Sequence, residues 1–379
     1  MTHQPTSGTT STTQQLTDAG VSIWLDDLSR TRLQTGDLQN LIDTRNVVGV
    51  TTNPSIFHGA LSQGSRYDDD LVAMAARGLT PEQTVLELMA GDVRAACVLF
   101  EPAFAASDGV DGRASIEVSP LLAHDTAATV AQAQYLHDQV GHRGVYIKIP
   151  ATAEGIGAIE ESLAHGVSIN VTLIFSLSRY REVLEAFLTG LERAQASGLD
   201  ISKITSVASF FVSRVDTEVD RRLGLLSLEE ETQIEVAALK GRAGIANARL
   251  AYELFEQTFA TERAQALLRA GAHVQRPLWA STGVKDPSIR DTAYVEELAA
   301  PDTVNTMPGA TLEATFDHAV VTPNAITGAY EVSREVLAGL AELGIDIDDV
   351  TDTLEREGVE KFNVAWADLL NIVATRLAE

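Results

Sequence analysis

Cysteine, positive charge and long apolar runs are all scarce in this sequence of 379 residues. Because Cys97 is its only cysteine, the chain cannot form an internal disulfide, which favours a reducing compartment such as the cytoplasm. No apolar run approaches the roughly 18–20 residues of a membrane-spanning helix, and the first residues do not resemble a secretory signal. With 28 Lys and Arg against 53 Asp and Glu, the net charge is −25. We therefore expect neither nucleic acid nor a membrane as a partner.

Two further shortages concern histidine and lysine. The eight histidines show no spacing typical of metal ligands, so we expect no metal site. Lysine is so rare that one with special chemistry can be sought by elimination. Four of the lysines fall in helical patterns, in a loop or just before a strand: Lys203, Lys240, Lys285 and Lys361. Only Lys148 interrupts a run of β-forming residues, Gly144–Thr152.

Lys148 has two interpretations. An ammonium group in a strand interior is costly to bury without a partner. The lysine could lie near a strand end, with its charged head reaching water. Alternatively it is buried without a paired carboxylate and held in its neutral form, since burial disfavours the charged one. A neutral amine can attack a ketose carbonyl, and the resulting Schiff base accepts electrons when the adjacent C–C bond breaks.

Short β-rich runs alternate with longer helical patterns, which is typical of parallel β–α units. The predicted strands are Val21–Asp26, Val47–Thr51, Ser115–Ser119, Val145–Ile149, Ser168–Ile174, Ile204–Phe210, Val274–Ala280 and Thr303–Thr306. The main helical patterns are Pro81–Phe104, His124–Val140, Arg179–Ser197, Leu228–Phe259, Thr261–Ala270, Ala329–Leu343 and Val350–Leu377. Eight units predict an α/β fold, a (β/α)8 TIM barrel with additional helices. We expect it over residues 17–379, after a disordered tail of residues 1–16; the alternative is a doubly wound open sheet.

Polar side chains recur on one face of several predicted strands, near their C-terminal ends. They are Asp26, Asn53, Glu117, Lys148, Asn170 and Thr172. Alternate strand residues point into a barrel, and barrel active sites form at this end. We therefore expect one site, with the two carboxylates transferring protons. The alternatives are helix capping or arginine pairing for the carboxylates, and loop hydrogen bonds for the asparagines.

Several segments together resemble the transaldolase family, in an actinobacterial-like long form. V-G-V-T-T-N-P-S-I-F (Val48–Phe57) is similar to its first signature, and G-V-Y-I-K-I-P-A-T-A-E-G (Gly144–Gly155) to the segment around its Schiff-base lysine. The other matching segments are Ala114–Val118, Ser168–Ser176, Val207–Asp216 and Trp279–Lys285. The resemblance runs from about Val21 to Val321. It implies a (β/α)8 barrel that needs neither a metal nor an organic cofactor.

The resemblance also implies a reaction and its residues. The reaction is transfer of a dihydroxyacetone unit from sedoheptulose 7-phosphate to glyceraldehyde 3-phosphate in the non-oxidative pentose phosphate pathway. Lys148 matches the Schiff-base lysine, Asp26 the acid/base, and Glu117 a carboxylate that acts through a water held by Thr172. The matches to substrate-binding positions are Asn53, Asn170, Ser209, Phe211, Arg214 and Ser281, with Arg214 at the phosphate-binding arginine. Phe211 stands where simple fructose 6-phosphate aldolases have Tyr, which favours transfer over plain cleavage.

Two positions depart from the family pattern near the phosphate. Gly283 stands where a second phosphate-binding arginine is usual, and Ser213 where glycine is usual. Lys285 could take over the arginine's role or be an exposed loop lysine. Two alternative functions also stay open: a plain aldolase with the same intermediate, and a non-catalytic barrel that binds sugar phosphates. We expect a monomer or a homodimer.

Overall fold

A closed barrel of eight parallel strands forms the centre of the structure, a computed structural model that describes residues 10–62, 65–226 and 230–378. The strands are β1 (Val21–Leu25), β2 (Val47–Val50), β3 (Arg113–Glu117), β4 (Val145–Pro150), β5 (Ile169–Ile174), β6 (Ser206–Phe211), β7 (Arg276–Ala280) and β8 (Thr303–Met307). Each strand pairs with its neighbours in chain order, and β8 pairs with β1. The (β/α)8 prediction is confirmed, because the pairing of β8 with β1 closes the sheet, whereas the alternative, a doubly wound sheet, would be open.

Helices surround the barrel and follow its strands. Within the described residues they are α1 (Thr12–Asp18), α2 (Arg30–Thr35), α3 (Asp37–Arg45), α4 (Pro54–Ser62), α5 (Asp68–Ala76), α6 (Pro81–Ala106), α7 (Thr126–Val140), α8 (Ala153–Ala164), α9 (Leu177–Ala196), α10 (Ser213–Leu223), α11 (Glu230–Leu239), α12 (Ala243–Phe259), α13 (Glu262–Arg269), α14 (Ala293–Glu296), α15 (Gly309–His318), α16 (Tyr330–Glu342) and α17 (Ile347–Leu377). In that part of the chain, no helix combines the length and the apolar character needed to cross a membrane.

The barrel interior is apolar in its middle and polar at the C-terminal ends of the strands. Trp24, Tyr146, Val207, Leu278 and Val304 are buried together in one cluster, with the Trp24 and Tyr146 rings stacked at a centroid distance of 5.9 Å. Two residues further along their strands, the side chains are Asp26, Lys148, Ser209, Ala280 and Thr306, which line a cavity. The apolar layer therefore forms the bottom of the cavity at the polar end of the barrel.

The structure corrects three details of the sequence predictions. β3 begins and ends two residues earlier than predicted, and a 3-10 turn starts at Pro120. Its register pairs Glu117 with Lys148. The helix predicted over Leu228–Phe259 is two helices, separated by a turn at Gly241 with φ +67°; its start at Leu228 lies outside the described residues.

The tail predicted for residues 1–16 is the third correction. Residues 1–9 lie outside the described residues, but α1 begins at Thr12. Its Leu16 is fully buried, and the Thr12 hydroxyl donates to the backbone oxygens of Thr315 and Phe316. The prediction of disorder is therefore wrong from Thr12 onward, since these contacts fix the helix to α15.

Candidate active site

A cavity of about 560 Å³ opens at the C-terminal ends of the strands. Nine of the predicted site residues line it: Asp26, Asn53, Lys148, Thr172, Ser209, Phe211, Arg214, Ser281 and Lys285. The other two, Glu117 and Asn170, hydrogen-bond to residues of that lining. The structure therefore brings all the predicted residues together at one end of the barrel.

Lys148 is buried beside a carboxylate. Its Nζ donates to Glu117 Oε2 at 3.2 Å and to the Thr52 carbonyl oxygen at 3.1 Å. The expectation of a lysine without a paired carboxylate is therefore wrong, because the β3–β4 register places Glu117 directly opposite. Burial raises the pKa of the Glu117 carboxyl, and the Lys148 ammonium opposes that rise. A carboxyl in this setting can accept the lysine proton, which would leave the amine neutral and nucleophilic.

Asp26 faces the cavity, whereas its neighbour Asp27 does not. The half-buried Asp26 accepts a hydrogen bond from the Thr51 hydroxyl at 2.7 Å. Asp27 forms an ion pair with Arg32 instead, at 2.7 Å. Strand alternation thus leaves Asp26 as the carboxylate of this pair that can reach a molecule in the cavity.

Hydrogen bonds fix the amide groups of the site. Asn170 donates to the Ser115 hydroxyl at 3.0 Å and accepts from the Ser209 hydroxyl at 2.7 Å. The Asn53 side-chain oxygen accepts from the Ile56 N–H at 2.9 Å, which is the loop role considered as its alternative. Asn53 still lines the cavity, so the two roles are compatible.

Thr172 has a buried hydroxyl with no hydrogen-bond partner among the described residues. A buried polar group without a partner costs free energy, and Thr172 lines the cavity. A water or a substrate hydroxyl in the cavity could satisfy it. Its neighbour Leu173 has φ +58°. Residues other than glycine rarely adopt this backbone conformation, and those that do often lie at functional sites.

Arg214 supplies positive charge from the first turn of α10. Its Cζ lies 4.9 Å from the centroid of the Phe211 ring. No described carboxylate lies within 4.0 Å of the guanidinium, although Asp26 and Glu117 oppose the lowering of its pKa by burial. A guanidinium without a carboxylate partner suits a phosphate. Nearby, the hydroxyl oxygens of Ser213 and Ser281 lie 2.8 Å apart. Ser213, which stands where glycine is usual, is therefore hydrogen-bonded to the predicted site residue Ser281.

One wall of the cavity comes from α17, which the sequence predicts as a helix without a role in the site. The lining residues on α17 are Leu354, Glu357, Gly358, Lys361 and Phe362. Their spacing of three and four residues marks one helix face. Lys148 Nζ lies 5.8 Å from the centroid of the Phe362 ring. Helical spacing could have identified this face, but not that it covers the barrel mouth.

The site combines a buried amine, two carboxyl groups, hydroxyl and amide groups, and an arginine. Within residues 10–62, 65–226 and 230–378, no three His, Cys, Asp or Glu side chains are grouped to hold a metal ion. The arrangement can support attack of an amine on a carbonyl, proton transfer by the carboxyl groups, and binding of an anionic group.

Comparison with known proteins gives a consistent result. Residues 23–373 match the family described as Transaldolase/Fructose-6-phosphate aldolase. The chain is 58% identical over 369 residues to a protein of Arthrobacter sp. named Transaldolase, covering 97% of this chain and 98% of that protein. It is 56% identical to Transaldolase 1 of Streptomyces coelicolor, with coverage of 96% and 94%. It is 54% identical to Transaldolase of Thermobifida fusca, with coverage of 96% and 98%.

Proposed function

Because the chain belongs to the transaldolase/fructose-6-phosphate aldolase family, we propose that it is a transaldolase that works through a Schiff base on Lys148. It transfers a dihydroxyacetone unit from sedoheptulose 7-phosphate to glyceraldehyde 3-phosphate. The products are erythrose 4-phosphate and fructose 6-phosphate, within the cytoplasmic, non-oxidative pentose phosphate pathway. The observation that supports this best is the Lys148 amine, held beside Glu117 at a cavity lined by Asp26 and Arg214.

The first step forms the Schiff base. Glu117 accepts a proton from Lys148, and the neutral amine attacks the ketone carbon of the donor. Glu117 then returns a proton to the carbinolamine hydroxyl, which leaves as water and produces the iminium. Thr172 would hold a water along this route, because the residue lines the cavity and its hydroxyl has no described partner.

The second step breaks a C–C bond. Asp26 takes the proton of the hydroxyl on the carbon that forms the far end of the breaking C–C bond, and that carbon leaves as the aldehyde of erythrose 4-phosphate. The bonding electrons pass to the iminium and give an enamine on Lys148. The enamine then attacks the aldehyde of glyceraldehyde 3-phosphate, Asp26 returns its proton to the new hydroxyl, and hydrolysis releases fructose 6-phosphate.

The remaining predicted residues would bind the substrates. Asn53, which lines the cavity after β2, and Asn170 on β5, which bonds to the lining residue Ser209, would contact the dihydroxyacetone hydroxyls. Ser209, which bonds to Asn170, and Ser281 would complete the polar lining. Arg214, and Lys285 on the loop after β7, would bind the phosphate.

A two-substrate assay tests the proposal. The purified chain is given fructose 6-phosphate with and without erythrose 4-phosphate, and product formation is followed. We expect rapid turnover only with the acceptor. Equal release of free glyceraldehyde 3-phosphate without an acceptor would indicate a plain aldolase, and no turnover in either case would indicate a binding protein.

Lys148→Met is the decisive variant in the same assay. We expect it to abolish turnover while the fold is retained. Lys203→Met is the matched control, because Lys203 is an exposed lysine paired with Asp200. Activity retained by Lys148→Met, or lost by both variants, would contradict the mechanism.

A further inference from the structure

Lys361 belongs to the same cavity as Arg214, although it comes from the C-terminal helix. Both side chains line that cavity, with Arg214 on the first turn of α10 and Lys361 on α17. Gly358 brings the two helices together: a Cβ at this position would lie 3.1 Å from Leu173 Cδ2 and 3.8 Å from Arg214 Nη1. Lys361 follows Gly358 by about one helical turn. The lysine therefore lies one turn along α17 from the glycine that the guanidinium approaches.

The charges at the cavity favour an anion in this place. Most cations of this acidic chain are in ion pairs, but Arg214, Lys285 and Lys361 have no described carboxylate within 4.0 Å. Three carboxylates also line the cavity: Asp26, Glu218 and Glu357. Glu218 is held by Arg221 at 2.7 Å and Arg222 at 2.8 Å, whereas Glu357 is exposed. Lys285 and Lys361 are exposed and Arg214 is less so, and all three line one cavity, where a bound anion could contact them.

We propose that Lys361 is a substrate-binding residue that contacts the phosphate of the sugar substrate together with Arg214. The proposal rests on the proposed function, since it assigns a further residue to the same site. It gives α17 a second role besides covering the cavity: the C-terminal helix contributes to the choice of phosphorylated over unphosphorylated sugars. Lys148 is buried on β4, whereas Lys361 is exposed on α17, so Lys361 would act on the end of the substrate that lies nearer the solvent.

A binding measurement without any reaction tests the proposal. The probes are glucitol 6-phosphate, which has no carbonyl and cannot form a Schiff base, and inorganic phosphate. Calorimetry gives the Kd of each for the wild type, Lys361→Met, Lys361→Arg and Arg356→Met. Arg356 is the matched control, because it is an exposed cation on the same helix outside the cavity lining. Circular dichroism and thermal unfolding check that each variant is folded.

We expect Lys361→Met to weaken binding of both probes by about 10- to 100-fold, the range for loss of a hydrogen bond to a charged group. Lys361→Arg should stay within about threefold of the wild type, because it keeps the charge, and Arg356→Met should not change. Four results would overturn the proposal: unchanged binding by Lys361→Met, equal losses in Lys361→Met and Arg356→Met, weakened binding of glucitol 6-phosphate alone, or no binding by the wild type. Since neither probe reacts with Lys148, these results are separate from failure of the proposed reaction.

Discussion

Asp216 joins the helix that carries Arg214 to the rest of the barrel. It lies in the first turn of α10, and its carboxylate accepts hydrogen bonds from the Gly244 N–H and the Tyr294 hydroxyl, each at 2.7 Å. Burial raises the pKa of Asp216 from 3.8 to about 6, against the lowering effect of these hydrogen bonds. At neutral pH the protein therefore keeps an ionised carboxylate in a place that favours the protonated form.

We expect Asp216→Asn to stabilise the protein increasingly as the pH rises. The folded state binds this proton more tightly than the unfolded state, so its contribution to stability is full below about pH 4 and is lost as the pH rises through about 6. The full contribution of this proton to the free energy of unfolding is about 3 kcal/mol, of which about 1.4 kcal/mol is lost between about pH 5 and 8. Asparagine does not titrate; its amide oxygen can accept from the Gly244 N–H, and its NH2 group can donate to the Tyr294 hydroxyl oxygen, which reverses that bond.

Urea unfolding at several values between about pH 5 and 8 measures this effect. The free energy of unfolding of Asp216→Asn minus that of the wild type should grow by about 1.4 kcal/mol across the range. Asp200→Asn is the control, because the pKa of the exposed Asp200 is lowered to about 2 and its carboxylate stays ionised throughout. A difference for Asp216→Asn that stays constant, or that narrows with rising pH, would be incompatible with a raised pKa at Asp216.

Three further substitutions test the site. Glu117→Gln should lower kcat by about 10²- to 10⁴-fold, because the amide cannot exchange protons with Lys148. A pH–rate profile equal to that of the wild type, in both height and shape, would contradict this. Lys285→Ala should raise KM for phosphorylated substrates more than it lowers kcat, and an unchanged KM would make Lys285 an ordinary loop lysine. Thr172→Val should change the free energy of unfolding by less than about 1 kcal/mol, since the hydroxyl has no described partner, yet lower kcat about tenfold. Equal kcat values would remove Thr172 from the mechanism.

The strands and the inward-facing polar residues could be predicted because both depend on local patterns. Runs of β-branched residues mark the strands, and the period of two assigns each side chain to a face. The same period of two distinguishes Asp26, which faces inward, from its neighbour Asp27. The same patterns could not set the β3–β4 register, so the pairing of Lys148 with Glu117 was not predicted.

The contribution of α17 could not be predicted from local patterns. An apolar stripe shows that a helix face is buried, but not which surface covers it. The path of α17 depends on its packing against α4, α5, α6 and α10. Lys361 therefore looked like a lysine on a polar helix face, whereas in the structure it lines the cavity. The α11–α12 boundary was missed for a different reason, because the turn at Gly241 interrupts an otherwise continuous helical pattern.

Covalent trapping shows which lysine forms the Schiff base. The protein is incubated with fructose 6-phosphate, reduced with borohydride and digested, and the peptides are examined by mass spectrometry. The expected result is a dihydroxyacetone or hexose phosphate adduct on the peptide that contains Lys148, and none on the peptides that contain Lys203, Lys285 or Lys361. An unmodified Lys148, or an adduct on another lysine, would contradict it.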